Sequence, residues 1–148
     1  MTDKVIEGRL TAVLEAFVTG DAMGMATEFM TRKEIIRKFG GWVTSLIDTR
    51  YSKLHKDLPT GSITDDSEEN LILLEEYKKA GEVTVEATVE GLLRWINESN
   101  AMEKKYIGPS AAKALTDIKG GVSPYESGRE GTTCGGIMRT PCVFLFSP

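Results

Sequence analysis

Histidine and cysteine are scarce in this chain. Its 148 residues hold one His and two Cys. Two cysteines argue against a disulfide framework and make a reducing cytoplasm the default expectation, although a single pair could still bridge. Cys134 and Cys142 are not spaced as a metal knuckle. His55 is the only histidine and stands in a polar stretch, which predicts a solvated side chain rather than a catalytic one. Long apolar runs are absent too. The N-terminal Met1-Thr2-Asp3-Lys4 opens none, so no signal peptide is expected, and the run from Cys142 to Phe146 is far too short to span a membrane. Excess positive charge is missing as well: the net charge is −4, which argues against a general binder of nucleic acid or of anionic membranes. No convincing alternating strand pattern and no internal repeat occur.

What is present is ordinary for one globular domain over residues 1–148. Apolar residues make up 41% and charged residues 27%. Ile6, Leu10, Val13, Leu14 and Phe17 recur at helical spacing over residues 4–18, with Gly20 as the expected stop or a point of close backbone approach. Small residues follow in Gly20-Asp21-Ala22-Met23-Gly24, with Glu28 just beyond, a composition that suits close helix packing or a ligand. Thr31-Arg32-Lys33-Glu34 reads as a capping box opening a short helix through Lys38, and Gly40-Gly41 ends it. Residues 42–60 show no sustained period and read as a loop.

The chain is organised around Gly61 to Asn70. Thr64, Asp65 and Asp66 place three oxygen ligands in a row at the mouth of an apolar helix. One such residue is enough for an N-cap. Two adjacent carboxylates repel, and either the positive helix N-terminus or a hard divalent cation such as Mg²⁺ or Mn²⁺ would offset that repulsion. An over-acidic cap and a metal motif both remain open on these residues alone.

The following helix carries Leu71 to Leu74, apolar nearly all round, and reads as a buried central helix ending near Lys78, Lys79 and Gly81. Another starts near Thr84, with Val85, Val89, Leu92, Leu93 and Ile96 on one face and Trp95 beside it, a core stripe. Tyr106 to Ser110 reads as a turn and cap before a helix over residues 111–119, which Gly120-Gly121 ends. A glycine-punctuated loop, Gly128 to Arg139, could present backbone N–H groups to an anion such as phosphate, or could be a plain surface loop. The fold class predicted is all-α.

Four motifs then fall in order: Gly20-Asp21-Ala22-Met23-Gly24 with Glu28, Thr64-Asp65-Asp66-Ser67, Ile107-Gly108-Pro109-Ser110, and Gly131-Thr132-Thr133-Cys134-Gly135-Gly136-Ile137-Met138-Arg139. In that order and rough spacing they resemble the ADP-ribosylglycohydrolase family, from about Lys4 to the last residue. The resemblance implies an all-α helical bundle and Mg²⁺-dependent hydrolysis of ADP-ribosyl linkages, with two Mg²⁺, or Mn²⁺ in some members, in a cleft. It implies that Thr64, Asp65 and Asp66 are metal ligands, that Asp65 and Asp66 belong to the catalytic centre, and that Glu28 is the mobile glutamate near the metals. It gives Asp21 a structural or outer-shell role. Gly108 and Ser110 would lie along the ADP-ribose. Cys134, Gly135, Gly136, Met138 and Arg139 would follow the distal ribose and diphosphate. The implied partner is ADP-ribose or an ADP-ribosylated protein or small acceptor.

Three departures qualify that expectation. Ser67 replaces the usual threonine but keeps a hydroxyl. Cys134 stands where small or polar residues are frequent. Family members are considerably longer, and their second metal motif, Asp-x-Asp-Thr, has no counterpart here, since Asp117 is the last aspartate. The chain therefore reads as the N-terminal half of such a hydrolase. Readings left open are a fragment, one of two mutually completing chains, and a domain that binds ADP-ribose or a nucleotide without cleaving it. Apolar faces such as Leu71 to Leu74 would invite self-association or a complementing C-terminal half. From a different class, a helical interaction domain would use the same acids only as caps.

Overall fold

The computed structural model describes residues 3–104, 107–133 and 135–146. Among them it contains helices and turns and no strand, as the all-α reading requires. Seven α-helices are described: α1 (Asp3–Gly24), α2 (Arg32–Phe39), α3 (Asp65–Ala80), α4 (Val85–Ser99), α5 (Ala101–Lys104), α6 (Pro109–Lys119) and α7 (Thr140–Phe146). None is long and apolar enough to cross a membrane among the described residues. The chain forms two compact units, Met1–Ser67 and Glu68–Pro148, with α3 giving its first turn to one and the rest to the other.

In the first unit α1 does not stop at Gly20 but continues through Gly24, followed by a 3-10 turn at Met25–Thr27. A Cβ on Gly20 or Gly24 would meet nothing within 4 Å among the described residues, so these glycines do not mark a close backbone approach. Instead Ala22 near the end of α1, and Met25 and Ala26 in the 3-10 turn that follows, are buried. α2 begins as its sequence predicts. Thr31 Oγ1 accepts from the Glu34 backbone N–H at 3.2 Å, and Glu34 Oε2 accepts from the Thr31 N–H at 2.6 Å. Gly40 closes it in the left-handed region at φ 81°, where a side chain is costly. Residues 42–60 are a loop with one 3-10 turn, Thr49–Tyr51.

The second unit holds the larger apolar core: Leu73 and Tyr77 of α3, Leu92, Trp95 and Ile96 of α4, Ala101, Leu115 of α6 and Cys142 of α7. Each fully buried side chain of this size contributes roughly 1.5–3 kcal/mol of hydrophobic free energy. α3 is only partly the apolar cylinder the sequence predicts. Leu71 is 43% exposed, while Glu69 and Asn70 are fully buried beside Leu73 and Tyr77. Helical spacing decides this, since positions 70, 73 and 77 share a stripe and position 71 lies about 100° from position 70. α4 approaches α3 at Gly91, where a Cβ would come within 2.9 Å of Leu73 Cδ2. Arg94 of α4 pairs with Glu75 and Glu76 of α3 at 2.6 and 3.0 Å. α7 has no expectation in the sequence. Its apolar run is too short for a periodic pattern; in the structure Cys142 is buried and Val143 and Phe146 pack against the core.

Candidate functional site

Asp21 organises the acidic motif from a distance of 43 residues in sequence. Its position near the end of α1 sets it against the chain segment that enters α3. Oδ2 accepts the Thr64 backbone N–H at 2.9 Å and the Ser67 hydroxyl at 2.6 Å. Oδ1 accepts the Thr64 hydroxyl at 2.8 Å. These are charge-assisted bonds, each stronger than a neutral pair. Both Thr64 and Ser67 are buried, so the Asp21 carboxylate satisfies polar groups that water cannot reach freely. Here Ser67 supplies the hydroxyl donor by itself.

A cavity of about 300 Å³ is lined by Asp21, Glu28, Thr64 and Asp66 together with Gly20, Gly24, Met25 and Thr27. Of the three oxygen ligands in sequence, Thr64 and Asp66 border this cavity and Asp65 does not. Successive helical residues are turned about 100° apart, so one of two adjacent acids necessarily points elsewhere. Burial pushes the Asp66 carboxyl up from its ordinary value, and the negative charges of Asp21 and Glu28 push it further. The cavity lining contains no Lys or Arg.

The donor set suits a hard cation in kind, since carboxylate and hydroxyl oxygens are what Mg²⁺ and Mn²⁺ prefer. Among the described residues no three His, Cys, Asp or Glu side chains stand close enough together to hold a metal ion. Thr64 and Asp66 therefore fit as part of a coordination shell, one that water or further groups would have to complete.

Glu28 follows the 3-10 turn at φ −52° and ψ 137°, with its side chain 45% exposed. Its Oε2 lies 3.0 Å from Nε2 of His55. His55 is not the solvated residue its polar neighbourhood predicts: it is only 8% exposed. The loop folds back so that Ser52, also buried, donates to Met25 O at 3.2 Å and accepts the His55 N–H at 3.0 Å. The pairing across 27 residues has no local signature, so sequence reading missed it. Phe29, the next residue, takes φ 59° and is 68% exposed. A bulky residue in the left-handed region costs of order 1–3 kcal/mol.

The remaining candidates lie in the second unit. Gly108 is the N-cap of α6, with Pro109 at its first position. Ser110 Oγ accepts the Thr132 N–H at 3.1 Å, tying the start of α6 to the glycine loop. At Gly131 a Cβ would come within 3.0 Å of Gly128 O and 3.5 Å of Ser110 Cβ, so the loop needs glycine to lie this close. Ser110, Lys113, Arg129 and Thr132 border a cavity of about 500 Å³ there. Gly136 is the N-cap of the 3-10 turn Ile137–Arg139, and Gly135 precedes it. Cys134 lies outside the described residues. Met138 O accepts Asn70 Nδ2 at 2.6 Å, and Asn70 Oδ1 accepts the Cys142 N–H at 3.1 Å. Buried Asn70 thus holds the end of the glycine loop, a role no motif announces. Arg139 Nε donates to Oε2 of buried Glu69 at 2.5 Å.

Comparison with known proteins follows the same motifs. The family model described as ADP-ribosylglycohydrolase matches residues 2–148. An uncharacterized protein of Archaeoglobus fulgidus is 32% identical over 140 residues, covering 95% of this chain and 43% of that protein. The uncharacterized protein YegU of Escherichia coli is 26% identical over 133 residues, covering 88% of this chain and 40% of that protein. The chain thus spans less than half the length of these curated relatives. No solved structure matches it.

Proposed function

Because the chain belongs to the ADP-ribosylglycohydrolase family, we propose that it serves Mg²⁺-dependent hydrolysis of ADP-ribosyl linkages, removing ADP-ribose from a modified protein or small acceptor. The observation that carries this reading is the cavity shared by Asp21, Glu28, Thr64 and Asp66. Three carboxylates facing one space, with the Asp66 carboxyl pushed up by burial and by the other two, leave a negative field that a divalent cation would relieve. When bound, such a metal acts as a Lewis acid that makes a water molecule more acidic and orients it.

The chain's own residues supply the rest. The Thr64 hydroxyl donates to Asp21 at 2.8 Å and accepts the Asp66 backbone N–H at 3.4 Å, which leaves one lone pair of its oxygen to coordinate. Asp66 would share that role, and Asp65 would enter it through water. Glu28, partly exposed at the same cavity, would take a proton from the attacking water and return one to the acceptor as the bond from the ribose carbon to it breaks. Backbone N–H groups of the glycine loop would hold the diphosphate. Ser110 supports that loop at Thr132, and Asn70 supports it at Met138. Gly108, Gly135, Gly136 and Arg139 are the further contacts proposed for the ADP-ribose.

A second reading is a module that binds ADP-ribose without cleaving it. It is favoured by the small donor set at the cavity, where Thr64 and Asp66 offer fewer oxygens than a full coordination shell needs. Calorimetric titration of Mg²⁺ and ADP-ribose into the 148-residue chain, with Asp66→Ala as control, combined with an assay of ADP-ribose release, separates the two. Metal-dependent binding with release supports the hydrolase, and binding without release supports the module. ADP-ribose binding that is indifferent to Asp66→Ala removes the metal role of the cavity and with it the hydrolase, and no binding by the folded chain removes both.

A further inference from the structure

We infer that His55 is a positioning residue: seated on a backbone clasp, it holds the Glu28 carboxylate at the acidic cavity. The inference rests on the reading of that cavity given above, and it names a residue that the four motifs do not contain.

Three contacts join loop 52–55 to segment 25–29. Ser52 Oγ donates to Met25 O at 3.2 Å, Lys53 Nζ donates to Phe29 O at 2.7 Å, and His55 Nε2 meets Glu28 Oε2 at 3.0 Å. Ser52 and His55 are themselves joined, because the His55 N–H donates to the Ser52 hydroxyl at 3.0 Å. The loop is closed behind them by Thr49 Oγ1, which donates to Leu58 O at 2.5 Å, and by the Leu58 N–H, which donates to His55 O at 3.1 Å. Ser52 and Thr49 are buried with His55, so this side of the clasp is the fixed one.

Glu28 is the movable side. It is 45% exposed, sits beyond the end of a single 3-10 turn, and is followed by Phe29 in a backbone conformation that only external contacts maintain. A half-exposed carboxylate beside Asp21 and Asp66 is driven outward by like charge. The imidazole works against that drive. An ionised carboxylate only accepts hydrogen bonds, so Nε2 must carry the hydrogen and donate it. The side chain of glutamine can place an N–H₂ donor at that same reach, whereas alanine cannot.

The test uses nitrogen relaxation of the Glu28 backbone amide in the full chain, beside turnover. The wild-type amide is expected to be ordered, with an order parameter of about 0.85, falling below about 0.6 in His55→Ala and recovering in His55→Gln. Where the chain releases ADP-ribose, His55→Ala is expected to lower kcat about tenfold or more with KM within about twofold, and His55→Gln to recover most of it. An ordered Glu28 in a folded His55→Ala protein overturns the inference, as does unchanged kcat. A wild-type chain without turnover overturns the hydrolase reading, and the relaxation measurement then decides the clasp by itself. The single histidine gives one imidazole signal, and its displacement in Glu28→Gln but not in Arg50→Ala confirms the contact independently.

Discussion

Asp21 accepts both the hydroxyl and the backbone N–H of Thr64, at 2.8 and 2.9 Å, and through its second oxygen also holds Ser67. The end of α1 and the start of α3 are therefore locked by one carboxylate. Replacing it with alanine removes three bonds to a charged acceptor and leaves two buried hydroxyls and one N–H to find other partners. Such bonds are worth about 1.5–3 kcal/mol each, with partial compensation by water. Asp21→Ala is expected to lower stability by about 3 kcal/mol in urea unfolding. A loss below about 0.5 kcal/mol would show that water replaces the carboxylate without cost.

The Glu69–Arg139 pair is asymmetric: Glu69 is fully buried while the Arg139 side chain is 19% exposed. The two substitutions should differ accordingly. Arg139→Ala removes the cation from a carboxylate that cannot reach solvent, and is expected to cost about 3 kcal/mol. Glu69→Gln leaves the guanidinium a path to water, and is expected to cost about 1 kcal/mol. Equal costs, measured by chemical denaturation, would mean that the structural share of Arg139 is not set by Glu69.

Gly91 is where helix propensity and packing pull in opposite directions. Alanine would gain about 1 kcal/mol of intrinsic helix preference in α4. Its Cβ would stand 2.9 Å from Leu73 Cδ2 and 3.2 Å from Glu76 Cγ, with Leu73 fully buried and unable to yield freely. Overpacking of this kind costs about 1–3 kcal/mol. Gly91→Ala is expected to destabilise by about 1 kcal/mol net, read from the urea midpoint. A stabilised variant would place the α3–α4 contact further apart than described.

Local rules carried the sequence reading a long way. Thr31 with Glu34, Gly40, Thr84 and the glycines after Lys119 each announce a helix boundary through chemistry within a few residues. The family resemblance rested on motifs that are equally local, and the family match extends over the same residues. What stayed hidden depends on contacts between distant positions. His55 looked solvated because its neighbours are polar, yet its burial is decided by a segment 27 residues away. Gly20 looked like a stop, but a single glycine costs only about 1 kcal/mol in a helix, and burial of Ala22, Met25 and Ala26 just beyond it outweighs that. The uniformly apolar look of Leu71 to Leu74 concealed a buried stripe made partly of Glu69 and Asn70, whose partners lie at Arg139, Met138 and Cys142.

The capping box of α2 makes stability depend on pH in a defined window. The Glu34 carboxyl is lowered from 4.5 to about 2, chiefly because its oxygen accepts the Thr31 backbone N–H, with the Thr31 side chain and Lys53 adding to the effect. A carboxyl lowered in the folded state favours folding when ionised. Its contribution is therefore complete above the unfolded value of 4.5 and is lost as pH falls toward about 2. Glutamine keeps the shape and an acceptor oxygen but not the charge, so Glu34→Gln isolates this effect. Wild type is expected to exceed Glu34→Gln in stability at neutral pH. The gap should narrow progressively below pH 4.5 and close near pH 2. Paired urea titrations at neutral pH and at two acidic points suffice to read it. A gap that persists unchanged into the acid range would assign the difference to the packing of the side chain rather than to its charge.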